Sequence, residues 1–309
     1  MMSQNSSISS SKTFRGYVRA LLTFTVLLSG GFSLLVAYGY QHGWMDFAFI
    51  KLYQYQLSKI ESDARPDIVF VGDSSLGNAI DADEFQRLSG KHVQNLALTG
   101  AYGYAGTFNM IRRVTQANNP ELVIIMHTPD IFTRPIAYDG YLHTALSLKD
   151  WRDIPFSILV KTFTNFDAVM SMARTFVRKS GMPDNMVISN DYIRQGPALN
   201  LDDNSNHQLS EASINLEKKM FLKKISAFCG DNGLQCVYAF GPWLELFCQQ
   251  SQSFIKKTKE IVISTGLRVA TEQPKCLSPN ELGDAWDHVA PHSKKEATSF
   301  YFKKLQPFL

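Results

Sequence analysis

The sequence predicts an α/β fold in which helices cover both faces of a parallel sheet. Apolar runs of strand length, among them DIVFVG, ELVIIMHT and LQCVYAFG, alternate along the chain with segments of helical periodicity. Strands that alternate with helices pair in parallel through crossover connections. The runs are apolar at successive positions, as expected for strands covered on both faces. We therefore predict a three-layer α/β/α sandwich, preceded by one N-terminal transmembrane helix.

The N-terminal anchor is predicted at residues 20–41, which carry no ionisable side chain except two tyrosines. Their helical length of roughly 33 Å, at about 1.5 Å per residue, is enough for a bilayer core of about 30 Å. Lys12, Arg15 and Arg19 precede the segment, so the positive-inside rule predicts that residues 1–19 form a cytoplasmic tail. We expect a single-pass protein of the cell inner membrane with an extracytoplasmic, periplasmic domain. The alternative is a signal peptide, but the Ala-x-Ala-like cleavage site is missing.

Residues 42–65 have apolar positions at mixed three- and four-residue spacing, which predicts a helical stalk that ends before Pro66. Residues 66–309 are predicted to form one domain with an insertion at 130–212. Outside the insertion, strands are predicted at 67–72, 92–98, 121–128, 234–241 and 267–271, and helices at 81–90, 104–118, 216–233, 253–266 and 293–305. The insertion is mostly helical and aromatic, then polar and loop-like. Its position places it at the sheet edge where ligands bind.

Charge, histidine spacing and the glycine-rich stretch argue against three kinds of binding: to nucleic acid, to a metal and to a nucleotide phosphate. The net charge is +3, and no dense Lys/Arg block is present, so we expect no nucleic-acid partner. His288 and His292 are four residues apart, but Pro291 argues against one helix face presenting both to a metal. GAYGYAG lacks the Lys-Ser/Thr ending of a phosphate loop. We therefore predict neither a metal nor a cofactor.

Four cysteines, Cys229, Cys236, Cys248 and Cys276, lie in the C-terminal third. In an extracytoplasmic domain an even number suggests disulfides, and the first two flank a short loop. That pairing leaves the last two for each other, although three connectivities are possible. Four buried thiols are the alternative. A zinc site is not predicted, because no Cys-x2-Cys pair is present.

The stretch DIVFVGDSSLGN, residues 67–78, runs from a predicted strand into a small polar turn. Ligands of open α/β sheets bind outside the carboxyl ends of the strands, where Gly72, Asp73 and Ser74 are expected. A Ser at a tight strand-to-helix turn exposes its hydroxyl, and its backbone N–H can stabilise an oxyanion. The alternative is that Ser74 or Ser75 only caps the next helix.

A second cluster lies near the C-terminus, where GDAWDHVAPHSKKEA places Asp284 and Asp287 before His288. A serine hydroxyl is a poor nucleophile near neutral pH until a histidine accepts its proton, and a carboxylate then holds the imidazolium. By itself His288 is more often a surface or core residue. Combined with the Ser turn, it indicates nucleophilic catalysis, with His292 as the fallback base.

VGDSS after a first strand, together with Asp-x-x-x-His before a terminal helix, resembles the SGNH (GDSL-type) hydrolase superfamily. The resemblance implies an SGNH/flavodoxin-like fold over residues 66–129 and 215–309. It also implies that Ser74 is the nucleophile and His288 the general base. Asp284 is then the orienting acid, with Asp287 as its substitute if the spacing is read differently.

The resemblance further implies an oxyanion site built from the backbone of Ser74 and a glycine after the second strand. NLALTGAYGY supplies Gly100, or less plausibly Gly103, and a plain turn glycine is the alternative. The superfamily commonly has Gly-x-Asn-Asp after the third strand, whereas this chain has MHTPDIF and no Asn. Thr128 is a candidate replacement donor, and Asp130 is expected to cap a helix.

A single anchor, an extracytoplasmic domain and a degenerate third motif resemble the membrane-tethered SGNH-like proteins that O-acetylate exported polysaccharides. The resemblance implies two partners: a multi-spanning membrane acyltransferase as acyl donor, and a polysaccharide as acceptor. Ser74 is then acylated, and a sugar hydroxyl activated by His288 attacks the acyl-enzyme. The alternatives are an anchored esterase or deacetylase, and a catalytically inactive scaffold that binds polysaccharide or an assembly partner.

Aromatic residues of the insertion offer a candidate platform for sugar rings. Tyr138, Tyr141 and Trp151 are the candidates. Aromatic residues in a helical insertion are more often part of a core, which is the alternative here. Trp286, inside the predicted catalytic loop, has no assigned role.

Overall fold

The computed structural model describes residues 9–41, 50–61, 65–164, 186–188, 192–194, 199 and 208–309. The chain divides into two compact units, one comprising residues 1–46 and 154–179 and the other residues 47–153 and 180–309. The first unit contains helices α1 (Ser9–Gln41) and α7 (Phe156–Thr164). The second unit contains the sheet and the remaining helices.

Helix α1 includes the segment predicted to cross a membrane. It is 33 residues long, and apolar side chains such as Phe24 and Leu27 are 63% and 69% exposed. Within the described ranges, the structure contains no helix with both the length and the apolar composition of a membrane span. The predicted helix is therefore present, but its membrane-spanning role has no support.

The second unit has nine helices in its described residues. They are α2 (Ile50–Glu61), α3 (Ser74–Ala79), α4 (Ala82–Ser89), α5 (Gly103–Ala117), α6 (Tyr138–Thr144), α8 (Lys218–Asp231), α9 (Glu245–Gln250), α10 (Gln252–Ile263) and α11 (Lys294–Leu305). Local chemistry fixes the bounds of α4: the Asp81 side chain accepts from Glu84 N–H, and Gly90 ends the helix at φ +68°. The short helices α3 and α9 have no counterpart among the predicted elements.

Five parallel strands form the central sheet: β1 (Ile68–Gly72), β2 (Val93–Ala97), β3 (Leu122–His127), β6 (Gln235–Phe240) and β8 (Arg268–Val269). Their order is β2-β1-β3-β6-β8, so by sequence the sheet reads second, first, third, fourth, fifth, the doubly wound order of flavodoxin-like folds. Every residue of β1, β2 and β3 is buried. The predicted α/β class and parallel sheet are confirmed.

The helices sort into two packed groups. Helix α8 contacts α5 and α10, whereas α11 contacts α3 and α4. Right-handed crossovers from a strand order that reverses at β1 place such groups on opposite faces of the sheet. This arrangement is consistent with the predicted three layers.

Helix α2 lies where a stalk was predicted, and it packs against the sheet. Leu52 and Tyr53 are buried, and the side chains of Gln56 and Lys59 donate to carbonyl groups of β2 at 2.7 and 2.5 Å. Strand β2 is at the edge of the sheet, so α2 covers an edge that would otherwise be open. Residues 42–49 and 62–64 of the predicted stalk lie outside the described residues.

The polar half of the insertion contains a short antiparallel hairpin, β4 (Met186–Ile188) and β5 (Tyr192–Arg194), where only loop was predicted. Strand β5 lies beside α3. The backbone N–H of Leu199 donates to the carbonyl of Gly283 at 3.0 Å. The end of the insertion therefore reaches the loop that carries the predicted histidine.

Both predicted disulfides are present, Cys229–Cys236 and Cys248–Cys276. The second joins α9 to strand β9 (Cys276–Leu277), which pairs with β7 (Trp243–Leu244). The alternative of four free thiols is therefore wrong.

Candidate active site

The Gly-Asp-Ser turn presents one reachable hydroxyl. A Cβ at Gly72 would collide with the carbonyl of Met126, so only glycine lets β1 approach β3 this closely. Asp73 caps α3 by accepting from the N–H of Ser75 at 3.0 Å. Ser74 is partly exposed, whereas every other residue from 71 to 80 is buried.

The structure brings Ser74, His288 and Asp284 into one hydrogen-bonded chain. The Nε2 atom of His288 is 2.9 Å from Ser74 Oγ, and its Nδ1 atom is 2.7 Å from Asp284 Oδ1. Because an ionised carboxylate only accepts, Nδ1 carries the proton, and Nε2 is the nitrogen that accepts from the serine hydroxyl. His288 is only 3% exposed. This tautomer is the one that a general base requires.

The loop that carries the histidine is closed by its own backbone. Gly283 N–H donates to the carbonyl of His288, and Ala290 N–H donates to that of Glu281, both at 2.7 Å. Leu282 and Val289 form an antiparallel bridge between these bonds. The imidazole is therefore held on a rigid loop.

Asp287, the alternative orienting acid, lies on the other side of the ring. Its Oδ1 atom is 3.7 Å from His288 Nε2, the nitrogen that meets Ser74. Burial raises its pKa to about 6, against the attraction of His288. Geometry therefore favours Asp284 over Asp287 at Nδ1. His292, the fallback base, is bound to the carbonyl of Asn280 at 2.9 Å.

Gly100 follows β2 and Ser74 follows β1, so both lie at the carboxyl ends of these two parallel strands. The N–H of Leu98 donates to the carbonyl of Gly72 at 2.9 Å, which ties the two strand ends together. Among the described residues, neither Ser74 N–H nor Gly100 N–H has an acceptor. The less favoured Gly103 begins α5 at φ +52°. Two free backbone donors at one edge suit the predicted oxyanion site.

The sequence reasoning missed a second histidine–carboxylate pair behind this turn. His127 Nδ1 is 3.1 Å from Asp73 Oδ2, and its Nε2 is 2.9 Å from Thr107 Oγ1. Burial raises the pKa of Asp73, but attraction and hydrogen bonding by His127 and the hydrogen bond from Ser75 outweigh it, so that the pKa is about 2. Both members of the pair are at most 1% exposed. A histidine at the end of a buried strand beside the Ser turn was the available signal.

The residues after β3 differ from their predicted roles. Asp130 does not cap a helix: it binds Arg134 Nη2 at 2.7 Å, and Thr128 precedes the 3-10 helix Pro129–Thr133. The Thr128 backbone N–H donates to Asp73 Oδ2 at 3.2 Å, and its hydroxyl is buried with no partner in the described residues. The carboxylate–guanidinium pair was not foreseen, because Arg134 belongs to none of the sequence motifs that predicted the site.

Tyr141 belongs to the core, as the alternative to a sugar platform had it. That ring is fully buried against Phe221, with centroids 5.2 Å apart, and its hydroxyl donates to Asp153 at 2.8 Å. Tyr138 and Trp151 are partly exposed. Trp286 packs edge-on against a neighbouring phenylalanine.

No protein-family model matches the chain, and no curated protein matches it either. A search of solved structures finds a chain described as a "putative platelet activating factor" from Streptococcus pneumonia. It is 12% identical, with 84% of this chain and 94% of that chain covered, at a TM-score of 0.34. A likeness of this size carries no argument about activity, so the functional argument rests on the site itself.

Proposed function

We propose that this protein is a serine-dependent enzyme of SGNH type that transfers acyl groups from esters through an acyl-Ser74 intermediate. The observation that carries the proposal is the hydrogen-bonded chain from Ser74 Oγ through His288 to Asp284, at 2.9 and 2.7 Å. This chain has the three parts that nucleophilic catalysis requires: a reachable hydroxyl, a buried imidazole of defined tautomer and a carboxylate at Nδ1.

The acylation step follows from these positions. Ser74 Oγ attacks the ester carbonyl carbon while its proton passes to His288 Nε2, and the carbonyl electron pair moves to oxygen. The imidazolium, stabilised by Asp284, then protonates the leaving alkoxide as the tetrahedral intermediate collapses. The free N–H groups of Ser74 and Gly100 supply donors for the oxyanion. A second cycle, with water or another hydroxyl as nucleophile, releases the acyl group.

The finer proposal is that the acceptor is a sugar hydroxyl of an exported polysaccharide, with a multi-spanning membrane acyltransferase as acyl donor. Two disulfides support an oxidising, extracytoplasmic compartment. Exposed apolar side chains along α1 support attachment to a membrane or to a membrane partner. An esterase that uses water has the same site, so the acceptor distinguishes them.

Mass spectrometry of the full chain after exposure to an activated acetyl ester tests the proposal. We expect an acetyl adduct on the peptide that contains Ser74, and no adduct in Ser74→Ala or His288→Ala. Absence of both an adduct and any acetate release by the wild type would favour the inactive scaffold instead. Adding soluble oligosaccharide separates the two enzymes: a transferase acetylates the sugar, whereas an esterase releases only acetate.

A further inference from the structure

Three carboxylates lie around the candidate site in addition to that of Asp284. Asp73 precedes the nucleophile, Asp287 precedes the histidine, and Asp130 lies close enough to Asp287 for its charge to raise the pKa of that carboxyl. A developing oxyanion is itself negative, so carboxylates nearby oppose the reaction. Two backbone N–H donors carry partial charges only, so a cation beside them would pair the developing negative charge more strongly.

Arg134 lies at this place. A Cβ at Gly100 would collide with Nη1 of Arg134, so the guanidinium rests directly on the glycine whose N–H is free. Its Nη2 atom is fixed by Asp130 at 2.7 Å, and the side chain is 39% exposed. Among the described residues, Nη1 and Nε of Arg134 have no acceptor. Two guanidinium donors are therefore uncommitted beside a free backbone donor.

The charge of this arginine is secure. Burial alone lowers the pKa of Arg134, but attraction by Asp130, Asp73 and Asp287 raises it above its ordinary value. Another nearby cation, Lys218, donates to the carbonyl of Pro135 at 2.7 Å, and Lys294 donates to the carbonyl of Gly77 at 2.9 Å. Burial, and then repulsion by Arg134, lowers the pKa of Lys218 to about 8. Arg134 is better placed than Lys218, because it lies against Gly100, and it is the more reliably charged of the two.

We propose that the guanidinium of Arg134, oriented by Asp130, is a third oxyanion donor and therefore a catalytic residue of this site. This inference rests on the proposed acyl-Ser74 chemistry. In the tetrahedral intermediate an N–H of Arg134 donates to the same oxygen that accepts from Ser74 and Gly100. The negative charge that forms there is paired with a full positive charge that the carboxylate of Asp130 holds in position.

A sulfur-for-oxygen comparison tests the role. The full chain is assayed with an aryl acetate and the matching aryl thionoacetate, in which the carbonyl oxygen is sulfur. Sulfur accepts hydrogen bonds poorly, so loss of a donor slows the ester far more than the thionoester. We expect Arg134→Ala to lower kcat for the ester by about 10²-fold or more, with KM changed little, and to reduce the ester/thionoester rate ratio. The ratio is independent of how much of the sample is folded.

Three variants complete the experiment. Arg134→Lys keeps the charge without the fork and is expected to retain an intermediate ratio. Asp130→Asn frees the guanidinium and should lower kcat less than Arg134→Ala does. Arg87→Met is the matched control, because Arg87 also pairs with a carboxylate within one helical turn, Glu84, but on the exposed face of α4; its ratio should equal that of the wild type.

The outcomes separate the two proposals. A wild type that hydrolyses neither substrate, or a Ser74→Ala variant as active as the wild type, would refute the acyl-serine function. An active wild type whose ester and thionoester rates fall equally in Arg134→Ala would refute only the oxyanion role, because Arg134 would then support the loop. Guanidinium ions added to Arg134→Ala should restore ester turnover, and failure of this rescue would also count against the role.

Discussion

Two histidine–carboxylate pairs adjoin the same turn, and they differ in access. The first, His288 with Asp284, meets the partly exposed Ser74. The second, His127 with Asp73, lies behind the turn at no more than 1% exposure. The residue types are the same, so the chemistry of each pair is decided by what the second nitrogen of the imidazole faces.

The buried pair has no serine on its imidazole. The hydroxyl of Ser75 donates to the carboxylate of Asp73 at 2.5 Å, and the second nitrogen of His127 is occupied by Thr107. Ser75 is also walled in, since a Cβ at Gly241 would collide with its Oγ. This network therefore fixes the backbone of the turn. Of the two pairs, only the one that meets Ser74, the outer pair of His288 and Asp284, can serve a nucleophile.

Replacement of the two serines gives the largest expected difference. Ser74→Ala should lower the rate of ester turnover by about 10⁵-fold or more, because the nucleophile is gone. Ser75→Ala should keep most of the activity, because its hydroxyl serves Asp73 and not an imidazole. Initial rates and the site of acetylation measure both effects. An adduct on Ser75 would reverse the assignment of the two pairs.

Replacement of Asp284 and of Asp287 tests which of the two acids orients His288. Asp284→Asn should lower kcat by about 10³–10⁴-fold, because the amide stabilises the wrong histidine tautomer. Asp287→Asn should have a much smaller effect, since Asp287 is 3.7 Å from the other nitrogen. Steady-state kinetics at saturating ester give the comparison. A larger loss in Asp287→Asn would show that Asp287 is the orienting acid.

The sequence was informative where its pattern is local. The alternation of apolar runs with helical periodicity predicted the parallel strands and most of the helices around them, within a few residues of their observed ends. The nucleophile turn and Asp-x-x-x-His each lie in one short stretch. Both disulfides match the pairing that the short loop between the first two cysteines suggested, although the sequence left three connectivities open.

What the sequence did not reveal depends on contacts between distant segments. Arg134 meets Gly100 only because the turn after β3 folds over the end of β2. His127 meets Asp73 only because β1 and β3 are neighbours in the sheet. Helix α2 reads as a free amphipathic stalk until the carbonyl groups of an edge strand are there to accept its side-chain donors. No spacing along the chain encodes such contacts.

Because the pair of His127 and Asp73, the inner pair, fixes the turn, we expect its loss to destabilise the fold even when both serines are kept. Asp73→Asn keeps a capping oxygen for α3 but removes the charge beside His127, and should lower the free energy of unfolding by roughly 3 kcal/mol. Because the folded-state pKa of Asp73 is about 2, this contribution is present above its unfolded pKa and is lost as pH falls towards 2. The control is Asp81→Asn, which changes a cap of the same kind on α4 that has no histidine.

Urea denaturation at pH 7 and at pH 3 measures this difference. The Asp73→Asn penalty should be smaller at pH 3, and the Asp81→Asn change should stay small at both, since Asn and Asp cap equally well. Equal penalties for the two variants at pH 7 would mean that the inner pair contributes nothing beyond the cap.

The smallest expected effect is a gain in the free energy of unfolding when Asp287 is replaced. Its pKa is raised to about 6, first by burial and then by repulsion from Asp130 and Asp73, against the attraction of His288 and Arg134. A raised carboxyl pKa means that ionisation in the folded state costs stability as pH rises from the unfolded pKa through about 6. The site therefore keeps, beside its general base, a carboxylate whose ionisation lowers the stability of the fold.

Asp287→Asn removes that cost. We expect the variant to unfold at a higher urea concentration than the wild type at pH 8, with a gain of about 1–3 kcal/mol. The gain should be much smaller at pH 4, where Asp287 is neutral in the folded state and only partly ionised in the unfolded chain. Asp83→Asn on the exposed surface of α4 is the control and should change little at either pH. A gain that is independent of pH would mean that packing at position 287, and not the charge of Asp287, causes it.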